Sequence, residues 1–535
     1  MAPYLGLSGK SLNFIIGIIG ATAFALQGYD QAVGNGILTL KTFLNVFPQT
    51  DTLDTKGAQK SHNATIQGTT IAIYEVGCTL GALACVYIGD KLGRIRTVFA
   101  AGIVTLVGVA IQTSAFSLGQ FIAGRVITGS SRLIWLQLKS NEENTINQQI
   151  SLTIGLGLGA CTATVPMWIS ECANAKDRGY FVLLQGLFAL GGIVTATWLE
   201  FGLFYVKDNA VNWRFPIAFQ AVLALIVVSA ILFMPESPRW LLKNARTEEA
   251  SIVLAVLGDT TAESETIAAE IATISSAIEQ ETNSDGSNNP FAMNHGRYLH
   301  RTMLGLGVCF LGEMTGVNIV TFYSTTIFQI NLGYSGTTSR VISGCLQIWQ
   351  LLAAGLAVFL VDRVGRRPLL IVSAAGMAVA HACLAGLTSN LHNKHASDAA
   401  IFFYFVALFF FPIGLFLLPF MYAAEIAPLR TRSQVTAMAA AIHWLFGFVI
   451  AEVTPVAFAN ISWRYYIVYA SISAFSSAVF YLFYPETRGR TLEEIDEIFT
   501  QSRSIFDTVG VAKTLPFATL PDLENEKTPR VEQSE

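Results

Sequence analysis

Twelve apolar stretches, most of them about 20 residues long, dominate this 535-residue sequence. A helix rises 1.5 Å per residue, so about 20 apolar residues cross the roughly 30 Å hydrocarbon core of a bilayer. The stretches fall near 12–38, 66–88, 97–115, 119–170, 180–203, 214–234, 302–330, 340–361, 368–389, 400–424, 433–458 and 463–484. In lipid a backbone must satisfy its own hydrogen bonds, so such a chain is expected to fold as an all-α membrane protein with twelve transmembrane helices. Only 13% of residues are charged, about half the fraction usual in soluble domains, which leaves little room for a soluble enzyme.

Other chemistries find no support in the composition. The net charge is −4 and the basic residues sit in short loops, so no nucleic-acid surface is expected. Cys78, Cys85, Cys161, Cys172, Cys309, Cys345 and Cys383 lie in or beside apolar segments and never form CxxC, which fits small core residues rather than disulfides or metal ligands. There is no nucleophile-base set, metal spacing or phosphate loop, so neither an enzyme nor a cofactor is expected. Gly155-Leu-Gly-Leu-Gly159 follows no strand and suits helix packing. The N-terminus lacks signal-peptide features, so the first apolar stretch is expected to be retained as a helix.

Alternate loops are basic: Lys91, Arg94 and Arg96; Lys176 and Arg178; Arg239, Lys243 and Arg246; Arg363, Arg366 and Arg367; Arg430 and Arg432. The positive-inside rule then makes both termini and the central linker cytoplasmic. The loop after the first span faces outward, where Asn63-Ala64-Thr65 is a glycosylation sequon. A polar segment over 236–300, with helical spacing from Thr247 to Ala277, separates an N-terminal bundle (1–235) from a C-terminal bundle (301–485). The tail over 486–535 is cytoplasmic, and from about residue 500 its polarity predicts disorder.

The halves echo each other. Gly89-Asp-Lys-Leu-Gly-Arg94 returns as Val361-Asp-Arg-Val-Gly-Arg366, Glu171 and Arg178 as Glu425 and Arg432, and Pro235-Glu-Ser as Pro485-Glu-Thr. Internal duplication around a central linker is a transporter plan that puts a solute site near mid-membrane between the repeats. One passage breaks the register. The fourth stretch is interrupted by the polar run Gln137 to Gln149, and the paired motifs lie 272, 254 and 250 residues apart. Only the first pair straddles Ser130 to Gly155, so removing those 26 residues brings the offsets to 246, 254 and 250 and joins Gly129 to Leu156 as one apolar helix. Ser130–Gly155 is therefore expected to be foreign to the fold, as retained intron sequence would be; the alternative is a true insertion that loops out.

The motifs Gly28-Tyr-Asp30, Gly89-Asp-Lys-Leu-Gly-Arg94, Gly124-Arg-Val-Ile-Thr-Gly129, Pro235-Glu-Ser-Pro-Arg-Trp-Leu241, Asp362-Arg-Val-Gly-Arg-Arg367 and Pro485-Glu-Thr-Arg-Gly-Arg-Thr-Leu-Glu-Glu494 resemble those of the sugar porter family of the major facilitator superfamily, in a style similar to fungal members. The resemblance spans roughly 12–498 apart from the suspect insert. It implies two pseudo-symmetric six-helix bundles and alternating-access transport of a sugar or polyol, by a protein expected to be a monomer in the plasma membrane.

Asp30 lies in an otherwise uncharged span, where a carboxyl favours its protonated form. The resemblance implies proton coupling through Asp30; the alternative is a permanent ion pair with Arg125. It further implies that Asp90, Arg94, Glu171, Arg178, Asp362, Arg366, Glu425 and Arg432 form salt bridges latching the cytoplasmic side. A solute with several hydroxyls needs amides and hydroxyls inside the spans. By resemblance these are Gln185, Asn318, Tyr323 and Gln350, each of which could instead tie helices together. The sequence departs from the family at Gly312-Glu313, at Phe420, where the family keeps tryptophan, and at His443 and Gly447, where it keeps asparagines. Glu313 and His443 could contact an unusual polyol or sugar acid, join the proton path, or pair with each other. An uncoupled facilitator is the nearest alternative function; a non-transporting sugar sensor is disfavoured by the short tail.

Overall fold

The computed structural model describes residues 3–129, 157–173, 178–283, 289–293, 296–390, 393–490 and 492–516. All regular structure among them is helical. Span 1 is Gly9–Ala32, span 2 Gly57–Leu92, span 3 Arg94–Thr113, span 5 Arg178–Leu203 and span 6 Val211–Ile231. Span 7 is Tyr298–Glu313 continued by Val317–Thr326, span 8 Gly336–Val364, span 9 Arg366–Thr388, span 10 Lys394–Gly414 continued by Leu418–Ile426, span 11 Arg432–Asn460 and span 12 Arg464–Phe483. These make 11 segments long and apolar enough to cross a membrane. Span 4 is described in two pieces, Leu118–Gly129 and Leu158–Cys172; Ser130–Gly155 lies outside the described residues.

Two breaks interrupt apolar runs that look continuous in sequence. Between the parts of span 7, Gly316 adopts φ +87°, where a Cβ would also meet the Tyr469 ring at 2.5 Å, so only glycine suits the turn. Span 10 breaks between Pro412 and Pro419, the second of which opens the following helix.

The linker helices Pro238–Lys243, Thr247–Gly258 and Glu265–Asn283 sit with the start of span 1, where the Ser8 hydroxyl donates to Asp259 at 2.7 Å. We call this end of the molecule the linker face and the opposite end the far face. As far as residue 516, where the described tail ends, the chain is ordered, although disorder was expected from about residue 500. Leu492–Gln501 and Thr508–Thr514 are helical, Phe506 packs on Phe483 with ring centroids 5.1 Å apart, and Arg490 donates to the carbonyls of Ala512 and Leu515. Apolar side chains spaced among polar ones are enough to dock it.

The bundles meet along two seams, span 2 on span 11 and span 5 on span 8. Glycines set how closely they approach. A Cβ on Gly68 would fall 2.5 Å from the Glu452 carbonyl oxygen, and one on Gly344 would fall 2.9 Å from the Trp198 ring. Small residues let backbones touch where the hydrophobic effect gives no drive to associate.

Candidate functional site

The Gly28-Tyr29-Asp30 motif does three separate things. A Cβ on Gly28 would lie 1.8 Å from the Ala189 carbonyl oxygen, so glycine lets span 1 lie against span 5. The Tyr29 hydroxyl donates to the Pro216 carbonyl at 2.8 Å and ties span 1 to span 6. Asp30, next in line, is 1% exposed, and neither carboxyl oxygen has a hydrogen-bond partner within 3.5 Å; the Gln220 side chain faces it as a weak donor, and Arg125 is the nearest opposite charge. Arg125 is equally buried but does not pair with it. Its guanidinium donates to the Ile71 carbonyl at 3.2 Å and lies 5.0 Å from the Tyr74 ring centroid, in cation–π contact. The permanent ion pair is therefore not formed in this conformation.

Across the interface, the break in span 7 brings a second group together. Glu313 pairs with His443 at 2.9 Å and accepts from the Asn318 amide. Asn318 in turn accepts from Gln31 of span 1 at 3.2 Å, so it links the bundles. The Phe420 ring stacks edge-on against His443 with centroids 4.9 Å apart. Of the expected solute contacts, Gln185 and Gln350 are buried, each with one amide atom lacking a protein partner. Tyr323 behaves differently: its hydroxyl donates to the Ala451 carbonyl at 2.8 Å, a helix tie to span 11, while Phe322 faces Tyr74.

Sequence reasoning missed several groups here. Glu75 is buried with one oxygen unpartnered, and both amide atoms of Gln220 and Gln347 are buried and unpartnered. Glu75 carried the signal already used for Asp30, a lone charge in an apolar span.

On the linker face the duplicated motifs become two equivalent latches. Arg94 grips Glu171 with two hydrogen bonds, Nε to Oε2 at 2.9 Å and Nη2 to Oε1 at 3.0 Å. Arg366 reaches a single oxygen of Glu425, at 3.3 and 3.2 Å, and the other oxygen accepts from the Thr487 hydroxyl at 2.6 Å. Each latch also holds an acid not anticipated from the sequence. Glu236 accepts the backbone N–H groups of Arg94 and Ile95 at 2.8 and 3.2 Å, and Glu486 those of Arg366 and Arg367 at 2.9 and 3.1 Å. A carboxylate at a helix N-terminus satisfies orphan donors and complements the dipole. Burial pushes the Glu236 carboxyl above its ordinary value, opposed by those backbone bonds and by the Arg94 charge. The side chains of Asp90, Arg178 and Asp362 lie outside the described residues, and Arg432 opens span 11.

Glycine precedes each latch arginine, Gly93 at φ +88° and Gly365 at φ +107°. A Cβ on Gly93 would meet a Glu236 oxygen at 2.5 Å. Gly93→Ala is expected to cost about 1–3 kcal/mol, seen as a lower midpoint of thermal unfolding in detergent.

The far face is fastened by scattered polar bonds rather than by duplicated charges. Gly36, just beyond span 1, donates its N–H to Glu200 of span 5 at 2.9 Å. Its carbonyl accepts from Arg340 of span 8 at 2.9 Å, and Arg340 also donates to the Thr39 hydroxyl at 2.7 Å. Asn35 donates to Ser324 and Ser343 at 2.7 and 3.2 Å, and Thr69 to Glu452 at 2.7 Å. Each of these last three bonds crosses between bundles, as do those from Arg340. Asn63, the sequon residue, lies within span 2 and is buried, with its amide nitrogen donating to the Asp51 carbonyl at 2.7 Å, so the atom a glycan would need is in use.

The chain matches the family profile "Sugar (and other) transporter" over residues 16–131 and 149–499. It is 32% identical over 530 residues to the sugar transporter STL1 of Saccharomyces cerevisiae, covering 97% of this chain and 87% of that protein. It is 32% identical over 516 residues to the MFS-type transporter oryC of Aspergillus oryzae, covering 95% and 89%. Among solved structures, the proton:xylose symporter XylE bound to 6-bromo-6-deoxy-D-glucose superposes with a TM-score of 0.72 at 20% identity, covering 92% of this chain and 100% of that one. The xylose transporter XylE from E. coli in a partially occluded inward open conformation gives 0.69 at 19% identity, covering 89% and 100%. Matched through both bundles, this multi-pass membrane protein belongs to the sugar transporter family of the major facilitator superfamily.

Proposed function

We propose that the protein carries a small neutral polyhydroxylated solute, a sugar or polyol, together with protons, by alternating access across the plasma membrane, with the linker face and both termini cytoplasmic. The observation that carries this reading is Asp30, fully buried, without a hydrogen-bond partner and unpaired with the arginine beside it. A buried carboxylate with no countercharge costs several kcal/mol, whereas a protonated one can wait for water to reach it. Gln185, Gln220, Gln347 and Gln350 hold buried amide atoms that have no protein partner. A hydroxyl both donates and accepts, so it can satisfy either end of an amide. His443, a candidate partner for a sugar acid, is already paired with Glu313, which favours a neutral solute. Relatives named as sugar and glucose transporters support the substrate class.

The test is reconstitution into liposomes and addition of D-glucose, D-xylose or glycerol to lightly buffered medium. Proton symport alkalinises the medium as the solute enters and concentrates it against a gradient. Uptake that only equilibrates, with no pH change, would establish the uncoupled facilitator instead.

A further inference from the structure

Between Asn63 and Gly89, span 2 carries a single charged residue, Glu75. It is 1% exposed; Oε1 accepts a long bond from the Tyr74 hydroxyl at 3.4 Å, and Oε2 accepts none. It also faces the other bundle. A Cβ on Gly447 of span 11 would fall 2.8 and 2.9 Å from its two oxygens, so the carboxyl occupies a notch left by that glycine. The notch lies on the seam that must part when the transporter changes face.

The charges around it are those of Glu313 from span 7, Arg125 from span 4 and Asp30 from span 1, with Tyr74 and Cys78 on its own helix. His443, one turn before Gly447, is engaged with Glu313. Arg125 spends its charge on the Tyr74 ring and the Ile71 carbonyl. Asp30 and Glu75 are therefore two buried acids and neither has a countercharge in contact. Two neighbouring carboxyls do not both ionise in a low dielectric without a cation. Further along the same seam Glu452, half-buried, has one oxygen unpartnered and the other on Thr69, which extends the line of acids from Glu75 toward the far face.

We propose that Glu75 is a second proton carrier, so that each transport cycle moves two protons, one on Asp30 and one on Glu75. The inference rests on the transport reading above. In the far-face-closed form both carboxyls are neutral. When water enters from the linker face, the O–H bond of Glu75 breaks, the proton leaves on water, and the carboxylate is held by Arg125 until the seam reopens on the far face and a proton returns.

Two measurements on the full-length chain in liposomes test this, with the chain lacking 130–155 alongside. The first is labelling with dicyclohexylcarbodiimide at neutral pH, which modifies membrane-embedded carboxyls that hold a proton, read by peptide mass spectrometry. Both Asp30 and Glu75 are expected to react; modification of Asp30 with Glu75 left untouched overturns the proposal and leaves the transport reading intact. The second finds the gradient of D-xylose, D-glucose or glycerol that stops net flux at a one-unit pH difference and zero membrane potential. Each coupled proton multiplies it by about tenfold, so two protons balance about a 100-fold gradient and Glu75→Gln lowers this to about tenfold. A balance near tenfold in the unmodified protein overturns the second proton without requiring any variant to fold. If no solute moves in either chain, the transport reading itself is overturned, and this inference with it.

Discussion

Asp30→Asn is expected to cut concentrative uptake sharply, leaving at most the accumulation that a single proton on Glu75 can drive. The substitution keeps the shape of the side chain and removes only its capacity to bind and release a proton. Asp30 makes no ion pair and no hydrogen bond in the structure, so packing is expected to survive, which a normal thermal unfolding midpoint would verify. At an imposed one-unit pH gradient the attainable accumulation should fall by about tenfold or more, since each coupled proton is worth about 1.4 kcal/mol per pH unit. Accumulation ratios of labelled D-xylose, D-glucose and glycerol measure this directly. Undiminished accumulation would move the coupling role elsewhere.

Excision of Ser130–Gly155 is expected to raise uptake by about tenfold or more. The argument comes from the described residues on either side. Arg125 donates to the carbonyl of Ile71, and Gly159 lies against Cys78, where a Cβ would fall 2.0 Å from the carbonyl oxygen. Those two contact points on span 2 are seven residues apart, about 10.5 Å along a helix. Arg125 and Gly159 are 34 residues apart in the chain but eight after excision, about 51 and 12 Å of helix respectively. Only the shorter spacing matches span 2. Further down, Cys85 meets Thr164 at 3.5 Å, continuing the same column. The run Gln137–Gln149 includes Lys139, Glu142 and Glu143, and each charge at the bilayer centre costs about 2.5–3.5 kcal/mol. The family profile likewise skips residues 132–148. Uptake and thermal unfolding of the two chains, expressed side by side, provide the comparison; equal activity in both would mean that the segment is accommodated outside the bundle.

The architecture was legible because lipid imposes one rule on every span, an apolar length, and because the latch motifs repeat in order. Arg94, Glu171, Arg366 and Glu425 stood out in the sequence because the motifs that carry them repeat, but the repeated spacing linked each acid to the arginine seven residues on, and the partners Arg94 and Arg366 emerge only from the fold. Glu236 and Glu486 escaped although they stand in the most recognisable motifs: their role is to cap another helix through backbone N–H groups, which leave no trace in side-chain patterns. The breaks at Gly316 and before Leu418 were hidden by apolar runs that continue through them. Cross-bundle contacts such as Gln31 with Asn318, or Arg340 with Gly36, join residues hundreds of positions apart and depend on how the bundles dock. Asn63 shows the opposite case, a three-residue pattern expected in a loop that falls inside a helix. Tyr323 matched the family by position, yet here its hydroxyl serves a neighbouring backbone.

The two linker-face latches share a design but differ in geometry. The N-terminal one is a two-pronged clasp, whereas the C-terminal one leans on a single oxygen while its acid is divided with Thr487. If both clasps open in the proposed cycle, Glu171 would part from both prongs of Arg94, whereas Glu425 would keep the Thr487 hydroxyl as a resting partner while Arg366 swings away.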